Sequence, residues 1–230
     1  MNNNPYYAAG TQTKAGETTL ISRVSYLLCT ALLTTAASAS YADHIGLGPQ
    51  WFIPLMLGTL ACVFGVRFTR TMPMVSLALL YALSVFEGLL LGPMLGSIAR
   101  GYPMGSAIIG EAAGLAALLV AGLGTYVWIS GKDFGGIGKF LLVGLIGLLV
   151  VGVIGLFAHF SAGVHLVYAV VGAALFAGFT LYDFSNIKHR FGPNDYVMAT
   201  VSLYLDFLNL FLFLLQILMS LNGGGSSRRS

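Results

Sequence analysis

The chain has 230 residues, 57% of them hydrophobic and only 8% charged, with 11 Lys and Arg against 8 Asp and Glu. Soluble domains carry about 25% charged residues, so a water-exposed globule of this composition would present an uncharged, aggregating surface. The mean hydropathy of +0.86 makes lipid the solvent. The net charge of +3 is dispersed over short loops, not gathered into the basic patch that a nucleic-acid partner requires.

In chain order, residues 1–21 read as a polar leader and 22–42 as the first apolar stretch. Arg23, the apolar run and Ala37-Ser38-Ala39 resemble a secretory signal with its cleavage site. The leader is long, however, and the stretch has spanning length, close to the ~20 residues that cross a bilayer core, so it reads as a retained span. Six more spans are predicted over 51–66, 73–98, 104–129, 137–159, 163–188 and 196–221. The second is short and begins behind Pro49 and Pro54. Polar or Gly- and Pro-rich loops separate the spans, such as Lys132-Asp133-Phe134-Gly135-Gly136 and Phe191-Gly192-Pro193-Asn194-Asp195. Residues 222–230 read as a flexible tail. The fold class predicted is an all-α membrane protein, one seven-helix bundle over 22–221.

Lysine and arginine set the orientation. Lys14, Arg23, Arg67, Arg70, Lys132, Lys139, Lys188 and Arg190 fall on one side, and Arg100 alone among loop residues on the other. The N-terminus is therefore expected in the cytoplasm and the C-terminus outside, against the local pull of Arg228 and Arg229. Cys29 and Cys62 lie in apolar runs without metal-ligand spacing and read as small buried hydrophobes. Trp51 and Trp128 near span ends read as interface anchors, and His159 and His165 bracket the turn between spans five and six. Gly88, Gly92 and Gly96, and likewise Gly110 with Gly114, recur every fourth residue, the spacing that lets helix backbones approach closely in lipid.

Asp183 and Asp206 lie deep in the sixth and seventh spans, where one aspartate costs about 2.5–3.5 kcal/mol on insertion scales. Their midpoint falls between Asn194 and Asp195, inside the turn joining the two helices, so an antiparallel hairpin sets them level. Thr180, Asp183 and Asn186 form one polar stripe, and Ser202, Asp206, Asn209 and Gln216 another. Two polar stripes on adjacent helices predict a hydrated or ion-accessible seam. Two carboxylates held close share a proton, and an arginine or a divalent cation can replace it. Calcium takes several oxygen ligands, so this pair would bind it weakly, as passage requires. Hydrogen bonding between helices alone is the plain structural alternative. Glu87 and Glu111 are the other membrane acids. They form either an outer polar vestibule on the ion path or two separate interhelical hydrogen bonds.

The residues around the pair resemble the transmembrane Bax-inhibitor motif family. The resemblance rests on Leu181-Tyr182-Asp183, Asn186-Ile187-Lys188-His189-Arg190, Ser202-Leu203-Tyr204-Leu205-Asp206-Phe207 and Asn209-Leu210-Phe211, with Glu87-Gly88-Leu89-Leu90-Leu91-Gly92-Pro93 in the third span. It implies six helices around a central seventh, and a bacterial member in the inner membrane. It further implies a pH sensor at Asp183 and Asp206, and a calcium leak whose closed state an arginine latches from the end of span two. Arg70 matches that latch, with Arg67 one turn away as the competitor. Relatives carry a basic residue late in span seven where Gln216 stands here, so a second ion pair there is in doubt. No cofactor is expected beyond calcium as permeant or weakly bound ion. The partners expected are lipid, cations and other membrane proteins. A non-conducting regulator that binds, for instance, a membrane protease is the alternative function. An intramembrane aspartyl protease is disfavoured, because Asp206 follows Leu203-Tyr204-Leu205 instead of a glycine-flanked motif and no Pro-Ala-Leu sequence occurs. No enzyme is expected.

Overall fold

The computed structural model describes residues 14–158 and 160–223, the side chains of 14–18 and 156 excepted. The tail from 224 onward, His159 and residues 1–13 of the leader lie outside that range. Within it, seven helices are long and apolar enough to cross a membrane. They are α1 (Lys14–His44), α2 (Phe52–Phe68), α3 (Pro73–Gly101), α4 (Gly105–Ser130), α5 (Gly138–Phe157), α6 (Ala162–His189) and α7 (Tyr196–Gly223). Single 3-10 turns at Pro49–Trp51 and Gly135–Ile137 lead into α2 and α5.

Local chemistry sets the boundaries. Pro73 opens α3, where its missing N–H has no partner to lose. Gly131, at φ +65°, ends α4 in the left-handed conformation that a side chain resists. Ser161 caps α6 by accepting the Val164 N–H. The first helix departs from expectation. It begins at Lys14, so the last turns of the expected leader are helical, and Leu20 and Val24 are buried in the core. Polar residues leave the apolar pattern early, but they do not stop a helix whose backbone bonds itself.

Helix α1 is part of the bundle and lies along α3. A Cβ on Gly88 would strike Ser38 Oγ and the Thr35 carbonyl, one on Gly92 the Ala39 carbonyl, and one on Gly96 the Asp43 carboxylate. The Gly88–Gly92–Gly96 stripe is thus the groove that seats α1, and Arg100 joins both guanidinium arms to Asp43 at 2.8 Å above it. The same spacing at Gly110 and Gly114 does something else. Nothing lies within 4 Å of either added Cβ, so this face of α4 points outward and seats no helix among the described residues. Cys29 is likewise exposed, whereas Cys62 is buried as expected.

Helix α7 is the most buried span and packs against α1, α2, α3, α4 and α6. Tyr204 is fully buried at its centre and hydrogen-bonded to Thr35 at 2.7 Å. Helix α5 completes the ring by lying on α6, and it faces α7 across a gap. Leu118, Phe140 and Val143 are exposed on the outside, as a lipid-facing surface requires.

Candidate functional site

The gap between α5, α6 and α7 is a cavity of about 490 Å³, and both aspartates are on its wall. Asp183 stands six residues before the end of α6, and Asp206 ten residues after the start of α7. At 1.5 Å per residue those distances are about 9 and 15 Å, so the connecting segment drops roughly one helical turn before α7 begins. That offset brings the two carboxyls to the same wall. Asp183 and Asp206 are near enough to act on each other electrostatically, with Asn186 and Ser202 near Asp183 and Thr180 near Asp206. Of the two expected stripes, Asp183, Ser202, Asp206 and Asn209 line the cavity, and Gln216 does not. Asn209 donates to the Leu205 carbonyl at 2.7 Å. Asp206 is buried, and its Oδ2 has no protein partner.

The apolar part of the wall comes from Leu148, Phe179 and Phe213. The polar part offers oxygen atoms and amides with two formal acids, and among the described residues no cluster of three or more His, Cys, Asp or Glu could hold a metal. Such a donor set suits a hard cation held loosely, and falls short of the six to eight oxygens of a tight calcium site.

Arg70 does not reach this pair. Its Nε lies 2.5 Å from Oδ1 of Asp195, the residue before α7, eleven positions from Asp206. The reason is local. Asp195 closes its own turn by accepting the Gly192 N–H at Oδ2, which leaves Oδ1 directed at the α2–α3 turn. The Arg70 guanidinium and the Gly192 N–H hold the Asp195 carboxyl below its usual range despite its burial. Arg67 is exposed on α2 and makes no ion pair among the described residues.

A second clasp joins the α4–α5 loop to the end of α6. Asp133, in the α4–α5 loop, takes both arms of Arg190 at 2.8 and 2.7 Å. Ser185 Oγ donates to it at 3.0 Å and the Gly135 N–H at 2.8 Å. Arg190 is the main cause that holds the Asp133 carboxyl well below the carboxylate range. Sequence reasoning missed Asp133, Asp195 and Arg190 as partners, having read them as loop punctuation and orientation charges.

The outer acids are not brought together. Glu87 lines a separate cavity of about 500 Å³ with Pro49, Trp51 and Phe52, while Glu111 is exposed on α4. Among the described residues, the cavity lined by Glu87 does not include Glu111. His165 is exposed, its ring 5.9 Å from that of Phe160.

Comparison with known proteins agrees with this architecture. The family described as inhibitor of apoptosis-promoting Bax1 matches residues 17–223. An uncharacterized membrane protein of Vibrio cholerae is 36% identical over 90% of the chain and 92% of its own length. Mouse protein lifeguard 4 is 33% identical over 86% of the chain and 83% of its own. The Golgi anti-apoptotic protein of vaccinia virus is 32% identical, over 85% and 83% respectively.

Proposed function

The chain belongs to the Bax inhibitor family, and on that premise we propose that it is a pH-sensitive leak for cations, calcium first among them, gated by Asp183 and Asp206. One observation carries the reading. Two carboxyls from adjoining spans line the wall of one cavity, and one of their oxygens is buried without a protein partner among the described residues. Two ionised carboxylates so placed repel, and a single shared proton removes the repulsion. Gain or loss of that proton changes the force between α6 and α7, and so the width of the gap that α5 leaves open. A passing cation takes the place of the proton, with Ser202 and Asn209 on the same wall supplying further oxygen. The chemistry is exchange of ligands with no bond made or broken, and the chain acts without catalysis.

Arg70 keeps its role as latch in this reading, but acts at a distance. By holding Asp195 it fixes the start of α7 against α2 and α3, and so fixes the height at which Asp206 meets Asp183. We place the Arg70 and Arg190 clasps in the cytoplasm of a bacterium, at its inner membrane, following the lysine and arginine distribution. The direct test is calcium flux into liposomes holding only this protein, titrated with pH. No flux at any pH overturns the leak.

A second reading, a non-conducting regulator that docks on other membrane proteins, draws on the outward Gly110–Gly114 face with Glu111 beside it. Flux from the pure protein separates the two.

A further inference from the structure

Glu87 stands at the middle of α3, fourteen residues from Pro73 and fourteen from Gly101, so about 21 Å from either end of the helix. A hydrocarbon core about 30 Å thick puts it near the midplane, where a lone carboxyl is costly. It has no hydrogen-bond or ion-pair partner among the described residues. Arg100, the one cation of α3, gives both arms to Asp43. Glu87 instead lines the cavity of about 500 Å³ that α3 forms with the α1–α2 link and the start of α2. Gly88, Gly92 and Gly96 turn another face of α3 to α1, and Glu87, Leu90 and Met94 share the face left to this cavity.

The cavity has a polar floor and an aromatic mouth. A Cβ on Gly58 would meet Phe86, and one on Gly65 would meet Leu79. In that antiparallel pairing Glu87 is level with Leu57, five residues or about 7 Å deeper than Phe52. Trp51 and Phe52, both exposed, are nearer the end of the bundle away from the Arg70 clasp. Pro93 adds a second acceptor. It has no N–H, so the Leu89 carbonyl goes without its i→i−4 helix bond, and both residues are on the cavity wall. Apart from the Trp51 indole, the lining side chains offer no donor.

We propose that this cavity binds a lipophilic primary or secondary amine that enters from the Trp51 end, with its protonated nitrogen on Glu87 and its apolar body against Trp51 and Phe52. The site is separate from the aspartate cavity and stands whether or not the chain conducts. A floor of acceptors calls for N–H donors, which a quaternary ammonium lacks. An amine also passes the apolar mouth as the neutral base, so the carboxyl and the nitrogen need hold only one proton between them. The volume is that of a drug-sized ligand. A phospholipid headgroup is not the source, because its phosphate keeps it at the interface while Glu87 is near the midplane.

The test is a fluorescence titration of the full-length protein in nanodiscs of phosphatidylcholine, whose headgroup has no N–H. Trp51 and Trp128 are the two tryptophans, and Trp128 lies by Lys188 at the opposite end of the bundle, so Trp51→Phe assigns the signal to the cavity. Phenylbutylamine should give a saturable change. Phenylbutanol and phenylbutyltrimethylammonium should bind at least about tenfold more weakly, the scale of a hydrogen bond between charged groups. Glu87→Gln should weaken the amine by a similar factor, and Glu87→Asp should keep it. Leu90→Phe, which leaves the carboxyl and fills the cavity, should abolish saturation. Each variant is read only as protein that melts cooperatively, and the three probes on wild type need no variant. An alcohol as tight as the amine would make this an apolar slot only, and an equally tight trimethylammonium would remove the need for a donor. A signal that stays linear, or equal affinity in Glu87→Gln, would mean partition into lipid. Each of these results overturns the proposal.

Discussion

Arg70 and Asp195 join the α2–α3 turn to the first turn of the central helix, with Nε and Oδ1 2.5 Å apart. The arginine is half exposed and the carboxylate is buried, so the pair is unequal. Deleting the arginine strands a buried charge, whereas neutralising the aspartate leaves a solvated cation.

The first prediction follows from that inequality. Arg70→Ala should raise basal calcium leak roughly tenfold, the scale set by about 1–3 kcal/mol for an unsatisfied buried group. Asp195→Asn should raise it less, and the double variant should match Arg70→Ala. Arg67→Ala should leave the leak at wild type. Leak in Arg67→Ala but not in Arg70→Ala would move the latch one helical turn back.

The two surface clasps should be insensitive to pH near neutrality. Asp195 and Asp133 both have carboxyls held below the usual range, chiefly by their arginines. A depressed group contributes stability that is complete above its unfolded value of about 3.9 and is lost only as pH falls through the lower folded value. The difference in melting temperature between wild type and Asp133→Asn should therefore be constant from about pH 8 to 5 and shrink below about pH 4. A difference that fades between about pH 7 and 5 would mean the clasp itself is the sensor.

The seven spans, and the place of Asp183 and Asp206 on the wall of one cavity, were legible because both follow from repeats of a regular helix. Length and apolar runs mark a span, and equal distance from a turn marks height. The partner of Arg70 was not legible, because a turn residue such as Asp195 has no periodicity to fix where its side chain points. The glycine stripes show the same limit. Gly88, Gly92 and Gly96 seat α1 while Gly110 and Gly114 face outward, yet the two patterns read alike. In lipid an apolar face gains little by choosing protein over acyl chains, so sequence composition does not separate the two. Glu87 and Glu111 were expected at similar heights, but height leaves open which way each helix face turns.

That difference between the glycine stripes can be measured. Gly92→Ala should lower the melting temperature in detergent, because its Cβ meets the Ala39 carbonyl and Ala42 Cβ, and overpacking costs about 1–3 kcal/mol. Gly110→Ala should be neutral or stabilising by up to about 1 kcal/mol, since its Cβ meets nothing and the unfolded chain loses freedom. Equal destabilisation by both would mean that Gly110 is covered in the assembled protein.

Asp206→Asn should flatten the pH dependence of calcium flux in a protein that still folds. Asparagine keeps the shape of the side chain and can donate to Asp183 from its nitrogen, so the α6–α7 contact survives. It takes up no proton and carries no charge, so the repulsion that couples α6 to α7 is gone at every pH. Asp183→Asn should give the same flat profile, because the titration of a coupled pair belongs to neither residue alone. The double variant should add little to either single one, as groups that act as one unit do. Asp195→Asn is the control: it alters how far the protein leaks, but should retain a pH profile parallel to wild type, since its site is apart from the pair. The measurement is initial calcium flux into liposomes over about pH 5 to 8, normalised to protein that melts cooperatively. Unchanged profiles in both single variants would place the sensor elsewhere in the chain, with Glu87 beside its own cavity the next residue to substitute.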